Sequence, residues 1–266
     1  MTDPTFVLHD LRDEYGELDA LVAPLPAAAW ATPTPSPGWT IAHQVAHLAW
    51  TDGKALFAVT DPEHFTAEAA GATSGAFETY VDQAAAEGAA APPPELLARW
   101  RTGREELLAA LHAAPPGARF PWYGLPMATA SMATGRLMET WAHGQDVADA
   151  LGVHRLPTPR LRHVARIGVR ARDYAYLVRA ITPPPAEFRV ELTAPDGELW
   201  TYGPADAEQR VTGPALDFCL LATRRRHRAD LALRADGRDA DQWLDFAQAF
   251  AGPPGPGREP STEGNG

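Results

Sequence analysis

Glu139 and His143 stand one helical turn apart in the run RLMETWAHGQD (136–146), and His47 lies far upstream in WTIAHQVAHLAW (39–50). A Glu and a His at spacing i, i+4 project side by side from one helix face. Ionisable groups do not belong on an apolar stripe without partners. An imidazole from a facing helix supplies a third donor and completes a three-ligand metal site with an open position. A divalent ion held in this way lowers the pKa of a bound water or thiol, or polarises a carbonyl.

Arg136, Glu139, His143 and Asp146 share one helix face, within an arc of roughly 80° at about 100° per residue. Two readings of that face compete. One is a solvated bundle face laced by i, i+3 and i, i+4 pairs. The other is a ligand face on which Arg136 and Asp146 orient the ligands, bridge to the next helix or take part in catalysis. Taken alone, this helix favours the solvated face. His47 shifts the balance, because Val45, Ala46, Leu48, Ala49 and Trp50 around it require some of its neighbours to face the core. By spacing, His43 is a candidate fourth ligand. It also sits at the third helical position after Thr40, which reads as an N-cap, and an acidic residue there would complete a capping box. Trp50 and Asp52 are candidates to line a cleft, and Asp52 equally reads as a helix-surface residue.

These side chains need helices to hold them. Leu8, Leu11, Tyr15, Leu18, Leu21, Val22 and Leu25 repeat at helical spacing, and Pro24 and Pro26 end the first helix. After the Pro-rich loop TPTPSPGW, a second helix runs from Thr40 through Phe57 and is closed by Asp61-Pro62. A weaker, Ala-rich helix covers 75–88. Another runs Glu95–Ala113, with Pro94 in its first turn. The helix Ala128–Leu151 follows PPGARFPWYGLP and ends at the C-cap Gly152. Together they predict an N-terminal up-and-down four-helix bundle over residues 1–155, with one extra short helix. After the linker HRLPTP, residues 156–252 read as a small α+β domain with a leading helix, Leu161–Ala180. Its strands are Phe188–Thr193 and Glu198–Tyr202, joined at Pro195-Asp196-Gly197, with Glu208–Thr212 and Leu231–Arg234 as further candidates. Helices are expected at Ala215–Arg226 and Ala240–Phe250. Residues 253–266 read as a disordered tail.

The 266 residues carry a formal net charge of −11, which argues against a general nucleic-acid binder. The basic run Arg224–Arg228, interrupted by His227, is short and isolated; it suits a helix end or one small anionic ligand. The single cysteine, Cys219, excludes an intramolecular disulfide and reads as a small buried apolar residue. The N-terminus has no basic signal region, and no apolar run approaches the ~18 residues of a bilayer span, so a cytoplasmic protein without membrane partners is expected.

PGWTIAHQVAHLAWTD (37–52) and RLMETWAHGQDVADALG (136–152) resemble the DinB/YfiT-like superfamily, in particular its branch of mycothiol-dependent maleylpyruvate isomerases. WYGLPM (122–127), WTYGPADAEQRVTGPALDFC (200–219) and AQAFAGPPGPGR (247–258) look like an actinobacterial group of metal-binding proteins within that branch. The resemblance implies a bundle that holds a divalent metal through His47, Glu139 and His143. Zn2+ is first choice, with Ni2+ or Fe2+ as alternatives. One departure is His43, whose position is usually acidic in relatives. The resemblance further implies an appended domain bordering the active-site cleft, where Arg225 is a candidate to hold a substrate carboxylate. The implied activity is that of a thiol (mycothiol)-dependent transferase or isomerase acting on a small electrophile. A hydrolase using metal-activated water, or a non-catalytic metal-binding protein, are the alternatives. Neither substrate nor oligomeric state is written in the sequence.

Overall fold

The computed structural model describes residues 4–72, 77–250, 252, 255 and 257–261. The chain divides into two units, Met1–Arg155 and Leu156–Gly266.

In unit 1, helix α1 (Thr5–Val22) buries Leu8, Leu11, Tyr15, Leu18 and Val22 along one stripe. Helix α2 (Ile41–Thr60) buries Ile41, Val45, Leu48, Ala55 and Ala58, and with them the polar Gln44, His47, Thr51 and Asp52. Two peripheral helices, α3 (Pro62–Ala72) and α4 (Phe77–Ala89), lead to α5 (Pro93–Ala113), whose stripe contains Leu96, Trp100, Leu107 and Leu111. Helix α6 (Thr129–Leu151) closes the bundle. Both α1 and α2 pack on α5 and α6, so the first two helices of the chain face each other across the bundle. At the end of α6, Gly152 takes φ +66 and Val153 N–H donates to the Ala148 carbonyl, which stops the helix as its glycine predicts.

Several local expectations change. Asp61-Pro62 ends α2, but it also begins α3, a helix the sequence reading lacked. Proline suits a first helical turn, and Asp61 Oδ1 accepts the His64 N–H at 3.3 Å, the geometry of a cap. The expected helix at 75–88 is observed as Phe77–Ala89, its first two positions lying outside the described residues. The stretch before α6 contains a short antiparallel pair, β1 (Arg119–Phe120) with β2 (Met127–Ala128).

Unit 2 opens with α7 (Leu161–Arg170) and α8 (Arg172–Leu177), so the single helix expected over 161–180 breaks at Ala171, and Ala180 adopts φ +55. Strands β3 (Phe188–Thr193) and β4 (Leu199–Tyr202) form the expected hairpin. Strand β5 (Gln209–Pro214) runs parallel to β3, and β6 (Arg234–Asp236) completes a sheet of order β4-β3-β5-β6. The last strand lies later than the expected Leu231–Arg234. Helix α9 stops at Ala222, because Arg224 takes φ +60 and turns the chain out of the helix. Arg224–Arg226 therefore follow the helix rather than form its last turn. Helix α10 covers Arg238–Phe246. In the C-terminal stretch, Ser261 N–H and Oγ–H both donate to Asp230; 253, 254, 256 and 262–266 of the expected tail lie outside the described residues. No helix among the described residues is long and apolar enough to cross a membrane.

Two charged clamps tie α1 into the bundle. Asp19 accepts from Arg101 Nη2 at 2.6 Å and Arg104 Nη2 at 2.7 Å on α5. Arg155 joins the fully buried Glu14 at 2.5 Å and Glu17 at 3.0 Å, and donates to the Trp141 carbonyl on α6. Removing one partner of such a buried pair takes a counter-charge away from the other. Arg155→Ala is therefore expected to cost about 3–5 kcal/mol of stability in urea denaturation. A loss below about 1 kcal/mol would show that Glu14 does not depend on this guanidinium.

The Asp19 clamp gives a pH dependence. The Arg101 hydrogen bond, opposed by burial and reinforced by Arg104, holds the Asp19 carboxyl below its ordinary value. A depressed carboxyl contributes stability above its unfolded pKa, near 3.9, and loses that contribution as pH falls through the folded value. Asp19→Asn should lose about 1 kcal/mol at pH 7, given the exposure of Arg101. The gap to the wild type should close below about pH 4 in thermal melts across pH.

Candidate metal centre

The polar face of α6 is not solvated. Arg136 is 5% exposed and Asp146 is fully buried, so side chains on this helix must find partners inside the bundle. Glu139 and His143 find each other and His47 of α2. Glu139 Oε2 lies 3.2 Å from His143 Nε2 and 3.5 Å from His47 Nε2, and one ligand atom from each of the three residues lies within 4.8 Å of the others. Bonds of about 2.0–2.2 Å in a tetrahedral site place ligand atoms about 3.3–3.6 Å apart. The two distances to the carboxylate match that spacing. The donor set of two imidazole nitrogens and one carboxylate oxygen fits Zn2+ and equally a two-histidine, one-carboxylate iron site.

Burial pushes the Glu139 carboxyl up, but hydrogen bonds from His143 and His47 and the positive charge of Arg136 outweigh it. The carboxyl sits well below the ordinary value and is an anion, the form a metal ligand requires.

Three residues that the sequence reading passed over organise the site. Gln44, one helical turn before His47 on α2, accepts from His143 Nδ1 at 2.5 Å. That bond keeps the proton on Nδ1 and turns Nε2 toward Glu139. Gln44 Nε2 in turn donates to Thr34 Oγ1 at 2.9 Å, and Thr34 donates to the Trp39 carbonyl at 2.9 Å. The Pro-rich loop is thereby tied to His143. It delivers the Trp39 indole, stacked on His143 with ring centroids 5.9 Å apart and 5.3 Å from the His47 ring. Trp39 Nε1 donates to Asp82 of α4 at 3.2 Å. The only sequence signal for these residues was their proximity to the His run, since Gln and Trp carry no ligand chemistry of their own.

His43 stays outside the ligand group. Thr40 N–H donates to His43 Nδ1 at 3.3 Å, and Thr40 Oγ1 lies 2.8 Å from the same nitrogen. The imidazole thus completes the capping box in place of an acid. Asp146 accepts from Ser36 Oγ at 3.1 Å, a second tie between α6 and the Pro-rich loop. Arg136 Nη1 lies 3.8 Å from Asp52 Oδ1. Asp52 is fully buried in the bundle, neither lining a cleft nor on the helix surface. Burial pushes its carboxyl up to about 6 against the opposing effects of Arg136, Tyr15, Trp100 and Arg104.

In unit 2, Arg225 Nη1 donates to the Thr223 carbonyl at 2.8 Å. Cys219 is fully buried, its Sγ–H directed at the Leu161 carbonyl, and burial pushes its thiol far up. It is a packed side chain, as its apolar setting predicts.

Residues 11–148 match the family described as mycothiol maleylpyruvate isomerase N-terminal domain, and residues 184–236 match the family described as wyosine base formation. Two uncharacterized proteins of Mycobacterium tuberculosis, from strains CDC 1551/Oshkosh and ATCC 25618/H37Rv, are each 57% identical over 97% of this chain and 100% of their own length. A crystal structure of the mycothiol-dependent maleylpyruvate isomerase, and one of a histidine-to-alanine mutant of it, align with a TM-score of 0.56 and 16% identity. Each alignment covers 84% of this chain and 90% of theirs. At that identity the likeness is one of fold.

Gln44 gives the site a direct check. Gln44→Leu removes the acceptor that orients His143 and should weaken divalent metal binding about 10–100-fold, the usual cost of losing such a support. Chelator competition against Zn2+ measures it, and unchanged affinity would mean that His143 is oriented by packing alone.

Proposed function

The chain belongs to the mycothiol maleylpyruvate isomerase N-terminal domain family, and on that premise we propose that it is a metal-dependent enzyme that uses a low-molecular-weight thiol, mycothiol, to transfer to or isomerise a small electrophilic substrate. The convergence of His47, Glu139 and His143 within 4.8 Å of one another carries this reading. These are the residues that would hold the ion, with Zn2+ favoured by the donor set. When bound, a divalent ion with an open position supplies a Lewis acid that keeps a thiol sulfur in its nucleophilic thiolate form.

The chain's own residues do the rest. Glu139 brings negative charge to the site, which lowers the cost of burying a cation there. Gln44 fixes the tautomer of His143. Trp39 lies against both imidazoles and shields them from water. Arg136 and Asp146 act as positioning groups, since each is buried against a partner on another segment. Cys219 is buried, and burial pushes its thiol up, so it is a packed side chain rather than a reactive thiolate.

Elemental analysis of the purified protein should find one equivalent of divalent metal, falling below about a tenth in Glu139→Ala and His143→Ala. Calorimetry with mycothiol should then show binding to metal-loaded protein and none to protein stripped with chelator. A wild type that takes up no divalent ion sinks the reading. Mycothiol binding that ignores the metal sinks its thiol-activation half.

A further inference from the structure

Behind the ligand group lies a second set of polar atoms in the bundle interior. Asp52 Oδ1 and Oδ2, Arg136 Nη1, Tyr15 Oη, Trp100 Nε1 and Arg104 Nε are all buried, and none reaches a partner at full hydrogen-bond distance and angle. They come from α1, α2, α5 and α6, the four bundle helices. Tyr15 and Trp100 act on the Asp52 carboxylate as weak hydrogen-bond donors, and Arg136 and Arg104 act on it by charge. Six such atoms in one core are unusual for a purely structural bundle, where buried polar groups are paired and an apolar replacement is often as stable.

We propose that Asp52 is a positioning residue for the metal centre: it anchors Arg136 in the bundle interior and so keeps that guanidinium from pairing with Glu139. This rests on the metal reading above. Arg136 stands one helical turn before Glu139 on α6, so the two side chains share a face. Its head is 5.8 Å from the centre of the Trp122 ring and 3.8 Å from Asp52 Oδ1. A buried guanidinium needs a counter-charge, and two carboxylates feel this one by charge: Asp52, 3.8 Å away, and Glu139 on the same helix face. While Asp52 is charged, Arg136 is balanced in place and the Glu139 oxygens are left to the metal. Without that charge, Glu139, one helical turn away on the same face, is left as the counter-charge for Arg136. A direct Arg136–Glu139 pair would compete with the metal for the same oxygens.

The test is metal affinity, read by Co2+ absorption and chelator competition on the full chain, with circular dichroism and thermal melting as the check on folding. Asp52→Asn keeps the size of the side chain and removes its charge; Co2+ affinity should fall about 10–100-fold and the visible bands of Co2+ should shift as the carboxylate leaves the ion. The double variant Asp52→Asn/Arg136→Gln removes both charges, and its affinity should return to within roughly threefold of wild type, because the two changes are coupled through one pair. A merely structural Asp52 would show no such rescue. A folded Asp52→Asn protein with wild-type affinity and bands overturns the proposal. So does a double variant that remains as weak as the single one. If Asp52→Asn fails to fold, the double variant decides alone: folded with near wild-type affinity supports the anchor, and folded but weak, or unfolded, overturns it. A wild type that gives no Co2+ spectrum is a separate result, which defeats the metal reading itself.

Discussion

A carboxylate anion inside a helical bundle must be compensated, and Glu139 is where unit 1 solves that problem. Desolvation alone would push its pKa up. Two imidazoles from two helices and a nearby guanidinium keep it charged instead. Each of those compensators then needs support of its own. His143 is turned by Gln44, Gln44 is held by Thr34, and Arg136 is balanced by Asp52. Polar residues that look misplaced in a hydrophobic stripe are thus the consequence of one half-buried charge, and the apolar stripes of α1, α2, α5 and α6 give it a rigid wall.

The bundle was legible because its helices are amphipathic and punctuated. Leu8, Leu11, Tyr15 and Leu18 repeat at the spacing of a buried stripe, and Gly152 stops α6 where a left-handed residue is needed. The convergence of His47, Glu139 and His143 was legible for a related reason. Two of the three are one turn apart, and the third sits in an apolar neighbourhood that leaves a histidine few other uses.

What stayed hidden depends on contacts between segments. Asp61-Pro62 is both a stop and a start, and only the hydrogen bond to His64 N–H decides that a helix follows. The break at Ala171 and the turn at Arg224 occur without glycine or proline at the turning residue, so no local signal marks them. Asp52 reads as a surface acid until the partners Arg136, Tyr15 and Trp100, from 37 residues before it to 84 after it, are brought around it. Gln44 and Trp39 have no chemistry that would single them out; the fold gives them their roles by placing an amide behind one imidazole and an indole against two.

The loop that carries Trp39 is fastened at Thr34 to His143 through Gln44, and two residues on, at Ser36, to Asp146. Its position and the aim of the histidine are therefore two coordinates of a single equilibrium. Linkage makes the coupling reciprocal: whatever sharpens the imidazole's orientation also quiets the loop, and whatever grips the loop tightens the grip on an occupant of the centre by the same factor. A partner or small molecule that touched only the outer face of residues 32–40 would in this way be felt at the histidines without coming near them.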